Sequence, residues 1–311
     1  MLILYRQAFI LSRKIKGIKF WVENMTLRII TDSASDISWE FADKNKIEIV
    51  PLTILYNNQT FKEDRNYNFD KHYKKYLEDK DFLPKTSQPS PLDFFKAYEK
   101  LALEGATEII VICISGKLSG TMNSANAAAN MFKETNPKVK IAIIDSKNAS
   151  YAEGFLVEEA LNLMKKETTF EVIVEKLKSL VKRIKSYLYI PTLKYLFKGG
   201  RISLTKYLVA RLLRKKVVVQ TGEDGSLQPV GAVGGVEEGI EKILKIIKEG
   251  KMLPRKIAVV YATNSELRDY AIEEIKKQIT NAEIRVAQTR AAITAHVGPS
   301  AIAIISDYGY D

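Results

Sequence analysis

With two histidines and one cysteine in 311 residues, any chemistry in this chain rests mainly on hydroxyls, carboxylates and backbone amides. Three polar loops collect such groups beside core strands, where α/β sheets gather their ligands. Ser115-Gly-Lys-Leu-Ser-Gly-Thr121 follows the apolar run Glu108 to Ile114. Its glycines allow a tight turn, and Ser119, Thr121 and the free amides of the next helix offer several donors to one carboxylate or phosphate. The plainer reading is that Ser119 or Thr121 caps that helix. In Thr86-Ser-Gln-Pro-Ser-Pro91 the prolines hold an extended approach to a helix capped by Ser90, which leaves the Thr86 hydroxyl uncommitted. Ala295-His-Val-Gly-Pro299 presents His296, oriented by Gly-Pro and able to donate to an anion or to titrate near neutrality. His72, beside Asp70 and Lys71 on a charged helix, reads as structural or exposed.

An enzyme made from these parts would be a serine-type hydrolase, with Ser119 as nucleophile and His296 as base, oriented by Asp32 or Asp145. The motifs argue against it. No Gly-x-Ser-x-Gly elbow, Walker A loop or Gly-x-Gly-x-x-Gly turn is present, and two histidines cannot make a His-rich metal site. Neither a metal nor a catalytic residue is therefore expected.

The elements that must position these loops alternate between short β-branched runs and longer amphipathic ones, the pattern of an α/β protein. Leu27 to Thr31 reads as a strand, and Asp32 to Asp36 as turn and cap residues before a helix to about Lys44. Ile47 to Tyr56 is extended, Asn57-Asn58 a hairpin turn, and Phe69 to Glu78 a helix. Asp93 completes a capping box with Ser90, and Pro91 opens the helix. Strands at Glu108 to Ile114 and Val139 to Ile144 alternate with helices at Met122 to Phe132, Ala152 to Lys165 and Phe170 to Ile184.

Beyond Lys185 the texture changes. Tyr187 to Ile190 is a short strand, Gly199-Gly200 stops a helical turn, and a helix runs from Leu204 to Leu213. A hairpin joins Val217 to Thr221 with Leu227 to Val233, and a helix follows over Val236 to Lys248. Lys256 to Tyr261, Leu267 to Gln278 and Ile284 to Ala287 repeat strand, helix, strand. The expected architecture is an N-terminal, mostly parallel α/β/α sheet domain over residues 25–175 and a C-terminal α+β mixed-sheet domain over 176–311.

Residues 1–24 read as an extension outside the fold. Residues 1–25 carry a local +4, so the whole-chain +11 falls to +7 without them. The basic balance invites a nucleic-acid-binding reading, with phosphate contacts as its source of affinity. No apolar run is long enough to span a membrane. The lone Cys113, inside an apolar run, excludes an intramolecular disulfide and favours the cytoplasm.

Five motifs taken together resemble the DegV family. Thr31-Asp-Ser-Ala-Ser-Asp36, Thr86-Ser-Gln-Pro-Ser90, Ser115-Gly-Lys-Leu-Ser-Gly-Thr121, Lys198-Gly-Gly-Arg-Ile202 and His296-Val-Gly-Pro299 stand in that family's order, from about Leu27 to the C-terminus. The resemblance implies a two-domain fatty-acid-binding protein without catalytic machinery or cofactor, the accessory B subunit of a bacterial fatty acid kinase. It implies a long-chain fatty acid such as palmitate held between the domains. Its carboxylate would be bound by Thr86 and Ser119, with His296 beside the head group. The acyl group would be presented to a separate ATP-dependent kinase subunit that makes acyl phosphate for phospholipid synthesis. Arg201 and the cluster Arg211, Arg214, Lys215, Lys216 are the candidate docking residues, although a solvated charged face is the plainer reading of each, and Val233 to Glu238 departs from the family's basic pattern there.

Overall fold

Strands and helices alternate along most of the chain, interrupted by the consecutive strands Glu48–Val50, Thr53–Tyr56 and Gln59–Lys62 and by the hairpin of Lys216–Thr221 with Leu227–Val233. The computed structural model describes residues 26–79, 81–166, 168–203 and 216–310. The extension over 1–24, the helix expected at Leu204 to Leu213 and the basic residues Arg211, Arg214 and Lys215 lie outside these.

The first half builds a four-stranded parallel sheet in the order β2-β1-β6-β7 from β1 (Leu27–Asp32), β2 (Glu48–Val50), β6 (Glu108–Cys113) and β7 (Lys140–Asp145). A separate antiparallel sheet, β4-β3-β5, comes from β3 (Thr53–Tyr56), β4 (Gln59–Lys62) and β5 (Lys85–Ser87). The extended stretch from Ile47 to Tyr56 is thus two strands in two sheets, broken at Pro51-Leu52. Asn57 and Asn58 turn the β3-β4 hairpin with φ of 49° and 57°, the left-handed pair that such a turn requires.

The second half forms a six-stranded mixed sheet, β10-β9-β8-β13-β11-β12. It comprises β8 (Ile184–Ile190), β9 (Lys216–Thr221), β10 (Leu227–Val233), β11 (Lys256–Tyr261), β12 (Glu283–Gln288) and β13 (Ile302–Asp307). The helix expected to reach Ile184 ends at Val181, and Ile184 opens β8 by pairing with Asp307 of β13. A three-residue step from Val181 to Ile184 suits a helical face, but the pairing across the sheet wins.

The helices are α1 (Trp39–Lys44), α2 (Phe69–Glu78), α3 (Pro91–Leu103), α4 (Thr121–Thr135), α5 (Tyr151–Lys165), α6 (Phe170–Val181), α7 (Lys194–Lys198), α8 (Val236–Glu249), α9 (Ser265–Gln278) and α10 (Ala291–Val297). Helix α6 passes through the expected boundary at 175. The capping box of α3 is present in full: Ser90 Oγ accepts from Asp93 N, and the Asp93 carboxylate accepts from Ser90 N.

Five layers result. Helices α3 and α4 cover the outer face of the parallel sheet through Phe94, Tyr98, Ala125 and Phe132. Helices α8 and α9 cover the outer face of the mixed sheet through Ile240, Leu244, Ala271 and Ile275. Helices α5 and α6 fill the space between the sheets, where Phe155, Leu156 and Leu177 join Ile29 and Ile110 of one sheet to Ala258 and Ile305 of the other. Charge reinforces this join, since Glu158 of α5 pairs with Lys256 and Arg285, and Glu159 with Arg255. No helix among the described residues is long and apolar enough to cross a membrane.

Candidate ligand-binding site

Between the halves lies a narrow cavity of about 70 Å³ whose wall is overwhelmingly apolar, with Leu118, Leu188, Leu196, Ile293, Ala303 and Ile305 among its lining. Thr86, Ser119, Arg201 and His296 also line it. Four polar residues scattered over the sequence therefore line one cavity.

Each arrives on its own element. Pairing of β5 with β3 fixes Thr86 opposite Ile54. His296 stands in the last turn of α10, before Gly298 at φ 85° and Pro299. Thr86 Oγ1 and His296 Nε2 are 2.7 Å apart, a direct hydrogen bond. The other ring nitrogen, Nδ1, is buried without a partner. Gly199 makes this ring position possible, because a Cβ there would lie 2.2 Å from Nδ1.

Ser119 Oγ is 2.9 Å from Thr121 Oγ1 and accepts from Thr121 N at 3.3 Å. Part of the capping expectation thus holds, although Gly120 occupies the cap position of α4 without a side-chain bond. The Ser-Gly loop is pinned across the molecule by Ser115 Oγ, which donates to the carbonyl of Gly225.

Arg201, expected among residues facing a partner, is half-buried at the cavity instead. The turn through Gly200, at φ 75°, reverses the chain after α7, and the guanidinium donates to the carbonyls of Leu118 (3.1 Å) and Gly199. Among the described residues no carboxylate pairs with it. The head-group residues expected from the sequence are Thr86, Ser119 and His296, without an arginine. The signal for one was the Gly-Gly-Arg turn itself, which bends a cation back toward the sheet.

Burial, followed by the positive charge of Arg201, pushes the His296 imidazole down to about 3. It is therefore a neutral hydrogen-bonding group across the ordinary pH range. The hydrolase geometry is not formed, because Ser119 bonds Thr121 whereas His296 bonds Thr86. Neither expected orienting acid reaches the histidine: Asp32 accepts from Ala34 N and Ile114 N, and Asp145 from Gly116 N and Lys147 N.

Behind the site, two buried carboxyls hold the start of α10. Asp36 accepts from Arg290 N (2.8 Å) and Ser150 Oγ (2.6 Å), and Glu63 accepts from Ala292 N (2.6 Å) and Ser33 Oγ (2.5 Å). Burial pushes Asp36 up to about 7 and Glu63 up to about 8, against the opposing pull of those bonds and of the Arg290 guanidinium. His72 proves structural and buried rather than exposed. Its Nδ1 lies 2.8 Å from Tyr67 Oη within a ring cluster that includes Tyr76 and Phe82, and burial pushes it down to about 4.

The model of the DegV family of uncharacterised proteins matches residues 26–308. A DegV domain-containing protein of Staphylococcus aureus is 33% identical over 285 residues, covering 89% of this chain and 97% of its own. Among solved structures, a DegV lipid-binding protein from Thermotoga maritima is 27% identical with a TM-score of 0.80, covering 92% of this chain and 100% of that one. A DegV protein from Thermus thermophilus described as fatty acid binding is 26% identical with a TM-score of 0.81, covering 91% and 100%. The fatty acid kinase B3 protein of Streptococcus pneumoniae, loaded with linoleic acid, is 25% identical with a TM-score of 0.81 and the same coverage. Extent of match and fold agree: the chain belongs to the DegV family.

Proposed function

We propose that the protein is a fatty-acid carrier that binds a long-chain fatty acid, palmitate or a close relative, in the cavity between its sheets. The carboxylate is held by the hydroxyls of Thr86 and Ser119 and by the His296 imidazole, with Arg201 supplying the positive charge. The observation that carries this reading is that those four side chains line one largely apolar cavity, with Thr86 and His296 hydrogen-bonded to each other there.

The energetics support it. Each methylene taken from water contributes about 0.8 kcal/mol, so a palmitoyl chain offers on the order of 10 kcal/mol before ordering costs. A carboxylate buried with it must be hydrogen-bonded and charge-compensated. Two hydroxyls, an imidazole and a guanidinium that pairs with no carboxylate among the described residues meet that demand. The head group is the part a second protein must reach, and acyl phosphate formation needs a nucleotide, for which this chain has no Walker A loop. Presentation to a separate ATP-dependent fatty acid kinase subunit, in the cytoplasm, completes the proposal.

The test is direct. Purified protein is denatured, extracted with organic solvent and analysed by mass spectrometry, and stoichiometric fatty acid is the expected result. Protein that is empty and that also fails to take up palmitate overturns the reading. Addition of a fatty acid kinase catalytic subunit and ATP to the loaded protein then tests the carrier step by acyl phosphate release.

A further inference from the structure

We propose that Asn148, Ser186 and Thr221 form an end wall that sets how long an acyl chain the cavity accepts, a specificity role that rests on the fatty-acid reading above. Ser186 and Thr221 line the cavity together with Leu188, Ala303 and Ile305. Strand register locates them relative to the head-group patch. Helix α7 leaves the Ile190 end of β8 and α10 precedes the Ile302 end of β13, so Leu196, Arg201 and His296 lie at that end. Tyr189 pairs with Ile302 there, and Ser186 pairs with Ile305 three residues further along. At about 3.3 Å per residue this places Ser186 roughly 10 Å down the strands.

The wall is a closed hydrogen-bond system. Asn148 Oδ1 accepts from Thr221 Oγ1 at 2.7 Å and from Ser186 Oγ at 2.8 Å, which fills both of its lone pairs. Thr221 Oγ1 in turn accepts from Ser186 N at 3.4 Å, and Asn148 Nδ2 donates to the carbonyl of Ile184. All three residues are buried. The hydroxyls are thus committed to one another, and what faces the cavity is carbon.

This partition is about one side chain thick. Thr221 lines the cavity and also a surface groove, where Asn148 stands beside it with Met122, Ile143, Ile144 and Val181. Beyond the wall, therefore, lies an open groove rather than packed core, with an apolar floor and a charged rim that includes Asp145, Lys178, Lys182 and Lys185. A chain that outgrows the cavity must disrupt the Asn148 hub to reach it, and each buried hydroxyl that loses its acceptor opposes this.

Chain-length selectivity is the readout. Wild-type protein and the variants Thr221→Ala, Thr221→Ser and Thr221→Met are offered palmitate, stearate, behenate and lignocerate, and bound lipid is quantified by mass spectrometry while folding is followed by thermal melting. Wild type should favour palmitate over lignocerate by more than about tenfold. Thr221→Ala should reduce that preference at least several-fold by opening the wall, and Thr221→Met should sharpen it or shift it toward shorter chains. Thr221→Ser keeps the hydroxyl bond and loses only the methyl, so it tests the space if the alanine variant does not fold. Variants that bind palmitate with an unchanged length profile overturn the wall and leave the fatty-acid reading standing. Wild-type protein that binds none of the four acids overturns both.

Discussion

At the head-group end of the cavity, polar groups keep bonding capacity in reserve: among the described residues His296 has a buried nitrogen without a partner, and Arg201 donates to the carbonyls of Leu118 and Gly199 and pairs with no carboxylate. At the far end, Asn148, Ser186 and Thr221 spend their capacity on one another. Both ends are polar by residue type, and the sequence shows no difference between them. The physical difference is large, because a buried polar group without a partner is costly and one within a satisfied network is not. Reserve capacity marks a site for a ligand, whereas a satisfied network makes a wall.

Breaking the head-group end should have the largest effect. Thr86→Ala combined with Ser119→Ala removes two bonds to a charged acceptor, each worth about 1.5 to 3 kcal/mol, so palmitate affinity should fall by about a hundredfold or more. Isothermal titration measures it, with a melting temperature close to wild type as the control. Unchanged affinity would refute the assignment of the hydroxyls. Arg201→Met removes the uncompensated cation and should weaken binding by about tenfold to thirtyfold, with Arg201→Lys recovering part of the loss.

A smaller effect is expected from Gly199→Ala. A methyl 2.2 Å from His296 Nδ1 must displace the ring and stretch its bond to Thr86, which should weaken palmitate by about tenfold while the circular dichroism spectrum stays the same. Full wild-type affinity in this variant would show that the ring position does not matter.

The smallest effect is one of pH. His296 is held near 3, so affinity should show no step near 6.5, and a titration curve with such a step would contradict a neutral imidazole. Stability behaves differently. Asp36 and Glu63 have folded-state values raised to about 7 and 8, so the folded protein binds more protons than the unfolded chain between about pH 4 and 8, and stability falls as pH rises through that window. His72 and His296 are lowered and act in the opposite sense, but only below about 6.5. Asp32, likewise raised to about 7 by burial, acts in the same sense as Asp36 and Glu63, so urea unfolding should show a decline from pH 6.5 to 8 on the order of 3 kcal/mol. A rise over that range would mean that these carboxyls remain ionised.

Where bonds are local, the elements were legible. The Ser90 capping box, the Asn57-Asn58 turn and the β9-β10 hairpin each depend on residues within a few positions. Strand β13 was missed, although it is central to its sheet. Its alternate residues face two different cores, with Ile302 and Ile304 against α8 and α9, and Ala303 and Ile305 against α5. A strand covered on both faces shows no polar alternation, and the alanines at 301 and 303 break up the β-branched run that makes β6, buried in the same way, legible. His72 reads as structural or exposed because Asp70 and Lys71 are solvent neighbours, and only the packing shows it on the buried face of its helix.

By itself the sequence determined which residue types were available and in what order: hydroxyls at 86 and 119, an imidazole at 296, and the turns that end each element near them. Only the tertiary structure decided that Thr86 and His296, 210 positions apart, share a hydrogen bond, that Arg201 turns inward, and that Asn148 closes the far end. The reason is one of range. Caps and turns are fixed by backbone hydrogen bonds a few residues long, whereas the cavity exists because α5 and α6 are packed between two sheets and bring distant loops to the same edge.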